Sequence, residues 1–163
     1  MSADFGELSA DAEGARVRFT RRLEASADEV WAALTEPQQL RGWLAETTLD
    51  ARSGTEWEAR FAGGERATGT VVAVEPPRLL ELTWAFSEEP ESFVRFELHP
   101  DGEATLLVLE HRRLAAAGAE DYGAGWHAHL DLLAAVVSGA DVPHWQARYE
   151  AVRLHYAEMR EGG

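Results

Sequence analysis

The sequence contains no cysteine and no lysine among its 163 residues. The absence of cysteine excludes disulfide bonds, thiolate metal sites and a cysteine nucleophile. The absence of lysine makes every basic side chain an arginine or histidine and excludes a Schiff-base lysine. The sequence also has no run that approaches the roughly 18 apolar residues of a membrane-spanning helix, so we expect no membrane insertion. The histidines are the most obvious side chains for chemistry.

The chain has far fewer basic residues than acidic residues, and its net charge is −14. This charge repels nucleic-acid phosphates and anionic membranes, so we expect no nucleic-acid partner. The adjacent pairs Arg21–Arg22 and Arg112–Arg113 are interpreted as solvated charge at strand ends. Residues 1–14 are acidic and poor in large apolar side chains, which predicts a disordered acidic tail and argues against a signal peptide. We therefore expect a cytoplasmic protein.

The apolar spacing predicts a strand, two short helices, a run of strands and one long helix. Val17 and Phe19 share one face of the first strand. Ser26 and Glu29 match a capping box that begins a helix, and Pro37 begins a second short helix. From Gly54 to Leu114 the period is two, as in strands. Apolar residues on both faces of the last strand, Ala104–His111, predict that it is central or covered on both sides.

The long helix carries Trp126, His129, Leu130, Leu133 and Val137 at helical spacing. It follows directly on the run of strands, so the sheet and the helix must face each other. A helix laid over a curved antiparallel sheet lined with Trp and Phe makes a container. The pattern thus predicts a cavity but does not identify its contents.

Several motifs in this order resemble the START-like, or SRPBCC, superfamily, and within it the bacterial proteins similar to the activator of heat-shock-protein-90 ATPase. The motifs are the strand Val17–Leu23, the segment Ala25–Leu34, the Pro37…Leu40…Trp43-Leu44 helix, Gly69–Val71, Glu75–Arg78, Leu82–Trp84, Leu107–His111, and Gly125-Trp126 with Leu130 and Leu133. The resemblance implies an α+β helix-grip (START/Bet v-like) fold. In that fold a curved antiparallel sheet wraps around a long C-terminal helix, with two short helices after the first strand. This domain would span residues 15–139, followed by an appended amphipathic helix over 140–163.

The resemblance also implies a ligand cavity between the sheet and the long helix. We expect no cofactor. Carried over by position, its lining would be Trp57, Phe61, Trp84, Phe86, Phe96, Leu107, Leu109, His111, Trp126, His129, Leu130 and Leu133. The alternative is a filled core, because interiors close-pack wherever they can. The leading hypothesis is non-catalytic binding of a small hydrophobic molecule, such as a lipid. The alternatives are a cyclase-, aromatase- or hydratase-type enzyme using His111 or His129 as acid–base, and a chaperone-associated protein.

The histidines of the long helix do not form a metal motif. His127 and Asp131 share a helix face, whereas His129 turns away by about 200°. We therefore expect no metal site. His129 could face inward toward His111 and form an acid–base pair, or both could be core histidines bonded to backbone or water.

The last segment carries an apolar stripe on a helix of about 18 residues. Its members are Trp145, Tyr149, Val152, Tyr156 and Met159. Something must cover such a stripe. We expect it either to dock on its own domain, giving a monomer, or to form a homodimer contact.

Overall fold

The computed structural model describes residues 5–86 and 89–162, which form one curved antiparallel sheet packed on a long helix. The strands are β1 (Glu7–Asp11), β2 (Gly14–Leu23), β3 (Glu46–Thr48), β4 (Glu56–Arg60), β5 (Arg66–Glu75), β6 (Leu79–Phe86), β7 (Ser92–Asp101) and β8 (Ala104–Leu114). The helices are α1 (Ala27–Thr35), α2 (Pro37–Trp43), α3 (Ala119–Ser138) and α4 (Trp145–Gly162). The strand order is β1-β2-β8-β7-β6-β5-β4-β3. The predicted α+β helix-grip fold with an appended helix is confirmed.

Helices α1 and α2 begin at the residues where the local sequence signals predict them to begin. The Ser26 hydroxyl accepts the Glu29 N–H at 3.2 Å, and the Glu29 carboxylate accepts the Ser26 N–H at 3.0 Å. Pro37 is the first residue of α2. Gly102, in the turn between β7 and β8, has a φ of 63°, which glycine adopts without strain. None of the described helices is long and apolar enough to cross a membrane.

The pairing register of the strands determines which side chains of the sheet face α3. In the centre of the sheet, Phe19 of β2 and Phe96 of β7 both lie opposite Leu109 of β8. Residues directly opposite in antiparallel strands share a face, so these three belong to the interior layer. Val94 and His111 form the next row of the same face. The prediction that the last strand is central is confirmed, because β8 lies between β2 and β7.

The expectation of a disordered tail over residues 1–14 is wrong for residues 5–14, the part of this segment that the structure describes. Glu7–Asp11 pairs with β2 as the edge strand of the sheet. The segment is anchored by Gly6, whose N–H donates to the Tyr156 hydroxyl at 2.7 Å, and by Phe5, whose ring lies 3.8 Å from that of His155. These contacts come from α4, so the acidic composition of the segment alone could not reveal them. Residues 1–4 lie outside the described residues.

Helix α4 docks on α3 of the same chain. Val152 and Tyr156 are buried, and the other members of the stripe are partly buried against the core. Gly123 of α3 makes the close approach possible, because a Cβ at this position would lie 2.8 Å from the Tyr156 ring. The stripe is therefore covered within one chain.

A polar network joins this docked helix to the sheet. The Tyr156 hydroxyl lies 2.9 Å from His127 Nδ1, and His127 Nε2 lies 3.6 Å from Asp131. Asp131 also accepts hydrogen bonds from Arg21 at 3.1 Å and from Arg148 at 2.8 Å. The interpretation of Arg21 as solvated charge is therefore wrong, since its side chain is only 5% exposed and pairs with a carboxylate from α3.

We expect Tyr156→Phe to lower the free energy of unfolding by about 1–3 kcal/mol, because it leaves the buried Gly6 N–H without its acceptor. Tyr149→Phe is the matched control on the same helix. Its hydroxyl bonds Asp121 at an exposed position, so we expect a loss below about 1 kcal/mol. Urea unfolding at two protein concentrations measures both values. Equal losses of unfolding free energy in the two variants would contradict the role of the buried bond between Tyr156 and Gly6. An unfolding midpoint that depends on protein concentration would contradict docking within one chain.

Candidate functional site: an aromatic interior between the sheet and the long helix

Trp84 is the centre of the interior layer. Its ring centroid lies 5.2 Å from that of Trp57, 5.4 Å from that of Trp126 and 5.6 Å from that of His111. Strand β6 presents Trp84 on the face that carries Leu80 and Leu82, all of them buried. Tilted ring pairs at these separations add about 0.5–1.5 kcal/mol each beyond the burial of area. The cluster is therefore a stable wall of the site.

Gly69 explains how Trp57 fits against the sheet. A Cβ at Gly69 would lie 2.0 Å from the Thr83 carbonyl oxygen and 2.7 Å from the Trp57 indole nitrogen. Only a residue without a side chain leaves room for the indole to lie over β5. The Trp57 N–H then donates to the Thr83 carbonyl at 2.9 Å.

The interior cavity is small and apolar. Its volume is about 20 Å³, enough for roughly one water molecule. Its lining consists of Leu34, Leu40, Trp43, Leu44, Thr47, Leu49, Trp57, Leu80, Leu82, Trp84, Phe96 and Trp126. The structure therefore favours the filled-core alternative in this conformation.

The predicted site residues divide into four groups. Trp57, Trp84, Phe96 and Trp126 line the cavity. Leu107, Leu109, Leu130 and Leu133 are fully buried core residues that do not line it, and His111 and His129 flank it. Phe61 and Phe86 are half-buried at its outer side.

Sequence reasoning missed the wall contributed by α1, α2 and the segment that follows them. Leu34, Leu40 and Trp43 close one end of the cavity. The apolar stripes of the two short helices were a usable signal, because such stripes must cover part of the sheet. Thr47 and Leu49 follow α2 and carry no comparable pattern.

His111 is held in one neutral form by hydrogen bonds at both ring nitrogens. Trp126 donates its N–H to Nδ1 at 2.9 Å, which places the proton on Nε2. Nε2 lies 2.7 Å from the Ser92 hydroxyl, and that hydroxyl donates to the Trp84 carbonyl at 3.0 Å. Burial lowers the pKa of His111 to about 3. Such a ring has no nitrogen left for a ligand.

His129 contacts the Trp126 ring, as His111 does, but it has a different hydrogen-bond partner. Its Nδ1 donates to the Trp43 carbonyl at 2.9 Å, and its ring packs beside those of Phe61 and Trp145. Burial lowers its pKa to about 4, although the bond to the carbonyl acts in the opposite direction. The Trp126 ring contacts both histidines, at 6.1 and 5.9 Å. The geometry therefore favours core histidines over an acid–base pair.

His127 and His129 face different neighbours, as the helical spacing predicted. His127 joins the polar network with Tyr156 and Asp131, whereas His129 joins the aromatic interior. In the part of the chain that the structure describes, no three His, Asp or Glu side chains gather in a geometry that could hold a metal ion.

Three half-buried rings separate the interior from solvent, and we call Phe61, Phe86 and Tyr122 the aromatic mouth. Phe61 lies 5.2 Å from Phe86, and Phe86 lies 6.3 Å from Tyr122. The Tyr122 hydroxyl donates to Glu89 at 2.6 Å. Burial, and then this bond, raise the pKa of Tyr122 above its ordinary value. Phe61 and Phe86 also contact Trp84, so the aromatic layer runs from the cavity to the surface.

The indole N–H groups around the cavity interact with different partners. Three of them donate to protein acceptors, in the bonds Trp43 to the Ala33 carbonyl at 2.8 Å, Trp57 to the Thr83 carbonyl at 2.9 Å and Trp126 to His111 at 2.9 Å. The N–H of Trp84 is buried and interacts with the Tyr122 hydroxyl, outside ideal hydrogen-bond geometry.

The two interior histidines predict a pH dependence of stability. In the unfolded chain His111 takes up a proton near pH 6.5, whereas in the folded protein it does so only near pH 3. Lowering the pH through this window therefore favours unfolding, by up to about 1.4 kcal/mol per pH unit for each such group. We expect the free energy of unfolding to fall from pH 6.5 to 5, and His111→Gln to give a shallower slope.

The exposed His144 supplies the control for this measurement. We expect His144→Gln to keep the slope of the unmodified protein in urea unfolding at each pH. Parallel curves for His111→Gln and the unmodified protein would contradict the assignment of a neutral, buried His111.

Comparison with known proteins agrees with this geometry. Residues 24–138 match the family described as Activator of Hsp90 ATPase homolog 1-like protein. The crystal structure of CalU16 from Micromonospora echinospora is 28% identical with a TM-score of 0.74, covering 94% of each chain. The solution structure of the protein encoded by BPP1335 from Bordetella parapertussis is 32% identical with a TM-score of 0.73, covering 96% of this chain and 93% of that one.

DynU16, from the dynemicin biosynthetic locus, is 27% identical with a TM-score of 0.71. The match covers 77% of this chain and 48% of DynU16. No curated protein is significantly similar to the chain. Because the family match spans most of the sequence, the chain belongs to the Activator of Hsp90 ATPase homolog 1-like family of the START-like (SRPBCC) superfamily.

Proposed function

We propose that the protein binds a small hydrophobic molecule between the sheet and α3, without catalysing a reaction on it. The observation that carries the proposal is the continuous aromatic layer from the cavity to the half-buried rings of Phe61 and Phe86. Apolar, aromatic surroundings with few polar groups are the usual design of a small-molecule site.

Binding requires the mouth to open, because the cavity of about 20 Å³ is too small for an organic molecule. Phe61 follows the end of β4 and Phe86 is the last residue of β6, so both rings lie where the strand ladder ends. Their displacement breaks no strand in the middle of the sheet. A ligand ring would take the place of a protein ring and keep the contact with Trp84.

The alternatives have less support. An acid–base enzyme would use His111 or His129 and needs a histidine nitrogen within reach of the ligand. Both nitrogens of His111 are already hydrogen-bonded, and His129 Nδ1 donates to the Trp43 carbonyl. The chaperone-associated alternative rests on the family description alone. The place of DynU16 in a biosynthetic locus supports a role in small-molecule chemistry for that relative and, by similarity, for this chain.

Removing one ring of the mouth tests the proposal. We expect the neutral probe N-phenyl-1-naphthylamine to gain fluorescence with the unmodified protein and to bind Phe61→Ala roughly tenfold more tightly, a difference of about 1.4 kcal/mol, because the opening no longer has to be formed. Fluorescence titration gives both dissociation constants.

Phe93→Ala is the matched control. Phe93 is also half-buried but lies on the outer face of the sheet, under the guanidinium groups of Arg112 and Arg113. We expect this variant to bind the probe as the unmodified protein does. If the probe binds none of the folded proteins, or gains equally from both substitutions, the proposal is wrong.

A further inference from the structure

A polar groove of about 390 Å³ lies on the outer face of the sheet, at the turn between β1 and β2. Glu110 and Arg112 alternate along β8 with the inward-facing His111, so their side chains point away from α3. The volume is within the range of small-molecule sites, roughly 300–1,000 Å³. The lining residues are Asp11, Glu13, Gly14, Ala15, Arg16, Arg95, Glu110, Arg112 and Arg113. Four of the 15 arginines of the chain therefore lie around one groove that the proposed function does not use.

A β-bulge brings Arg113 to this groove. Consecutive residues of β2 pair with Arg112 and Leu114 of β8, so Arg113 between them has no partner in β2. Its φ of 63° lies in the left-handed region, which is unfavourable for a residue with a side chain. The guanidinium groups of Arg112 and Arg113 both lie over the Phe93 ring, 4.9 and 5.5 Å from its centroid. Bulges that redirect a side chain in this way, and strained backbone, are enriched beside functional sites.

Carboxylates hold the other three arginines of the groove in place. Arg16 and Arg112 lie directly opposite each other on β2 and β8, an unfavourable placement of like charges that nearby acids offset. Glu81, which is buried, pairs with Arg112 and also with Arg95. The ion pairs are Glu81–Arg112 at 2.7 Å, Glu81–Arg95 at 3.5 Å, Glu97–Arg95 at 2.6 Å, Glu110–Arg16 at 3.4 Å and Asp11–Arg16. The walls of the groove are therefore preorganised before any ligand binds.

Two charged residues of the lining, Arg113 and Glu13, remain outside these ion pairs. Both are exposed, and neither forms an ion pair with a side chain among residues 5–86 and 89–162. They line the same groove and carry opposite charges, but they do not pair with each other. The groove thus offers one cation and one anion to a molecule that enters it.

We propose that the groove binds a small zwitterion, with the carboxylate of the ligand at Arg113 and its ammonium group at Glu13. A guanidinium that rests on an aromatic ring still has N–H groups at its edge, and these can donate to a carboxylate. The Glu13 carboxylate accepts from the ammonium group. The site is independent of the proposed function, because it lies on the opposite face of the sheet from the aromatic interior.

The charges around the groove favour a zwitterion over other charged ligands. Three acids line the groove together with the arginines, and they repel a phosphate or another ligand with several negative charges. The net charge of −14 also repels nucleic acids and anionic membranes. A ligand with only a positive charge would lie beside four arginines. A molecule with one charge of each sign avoids both kinds of repulsion.

Three probes with the same carbon skeleton test the proposal. 5-Aminopentanoate carries both charges on a flexible chain, pentanoate carries only the carboxylate, and pentylamine carries only the ammonium group. We expect the full-length protein at low ionic strength to bind 5-aminopentanoate at least about threefold more tightly than either of the other probes, because exposed ion pairs each contribute modestly. Titrations followed by ¹H–¹⁵N spectra give the dissociation constants. The Arg113 Nε–H and Glu13 amide signals show where the probe binds.

Two charge-neutralising variants test the role of each residue. We expect Arg113→Gln to weaken the binding of 5-aminopentanoate at least about threefold and to leave pentylamine unaffected. We expect Glu13→Gln to weaken 5-aminopentanoate by a similar factor and to leave pentanoate unaffected. Arg41→Gln and Glu46→Gln are the matched controls, because Arg41 and Glu46 are exposed residues of α2 and β3 outside the groove. Both controls should bind all three probes as the unmodified protein does.

The results separate a zwitterion site from ordinary surface charge. Equal affinities for the three probes, no binding of 5-aminopentanoate, or signals that move only outside the groove would overturn the proposal. Equal losses in the groove variants and in the control variants would overturn it as well, because they would indicate a general effect of charge. None of these results affects the proposed function, since the naphthylamine probe tests the other face of the sheet.

Discussion

The hydrogen bond from Trp126 to His111 connects the long helix to the centre of the sheet. His111 continues this connection through Ser92 to the backbone of Trp84, so one chain of hydrogen bonds joins α3 to β8, β7 and β6. In a dry interior such a chain holds its members in one geometry, because any break leaves a polar group unpaired. The position of α3 in turn determines where α4 docks.

The same bond explains why the interior histidines are unsuited to proton transfer. A histidine that accepts from an indole and donates to a hydroxyl is neutral and fixed in one tautomer, and burial keeps its pKa far below neutrality. The site thus combines a fixed polar core with an apolar aromatic wall. Such a wall can exchange one ring for another, since ring contacts are less directional than hydrogen bonds.

Much of the fold was predictable because its signals are local. The capping pair Ser26 and Glu29, Pro37 at the start of α2 and the period of two from Gly54 each specify backbone geometry within a few residues. The docking of α4 was one of two predicted alternatives. Strand β1 was not predicted, because its anchor is Tyr156 of α4, far away along the chain.

The site was predictable only in part. Alternation placed Trp57, Trp84 and Phe96 on the inner face, but it does not measure how closely side chains fill the space between layers. The cavity volume also depends on Trp43 and Leu40 of α2. These residues reach the cavity through tertiary packing, which the sequence pattern does not specify. The hydrogen-bond partners of the indole groups likewise depend on side-chain positions that a sequence does not contain.

The open sheet has two edges, and both resist extension by another strand. Strand β1 exposes Glu7 and Asp11 along one edge, and β3 has only three residues and exposes Glu46 at the other. Short strands with exposed charge are poor templates for pairing with a second chain. In a protein with a net charge of −14, these acids also repel copies of the same chain. Growth of the sheet into larger assemblies is therefore disfavoured at both ends, and the sheet can remain curved around its helix.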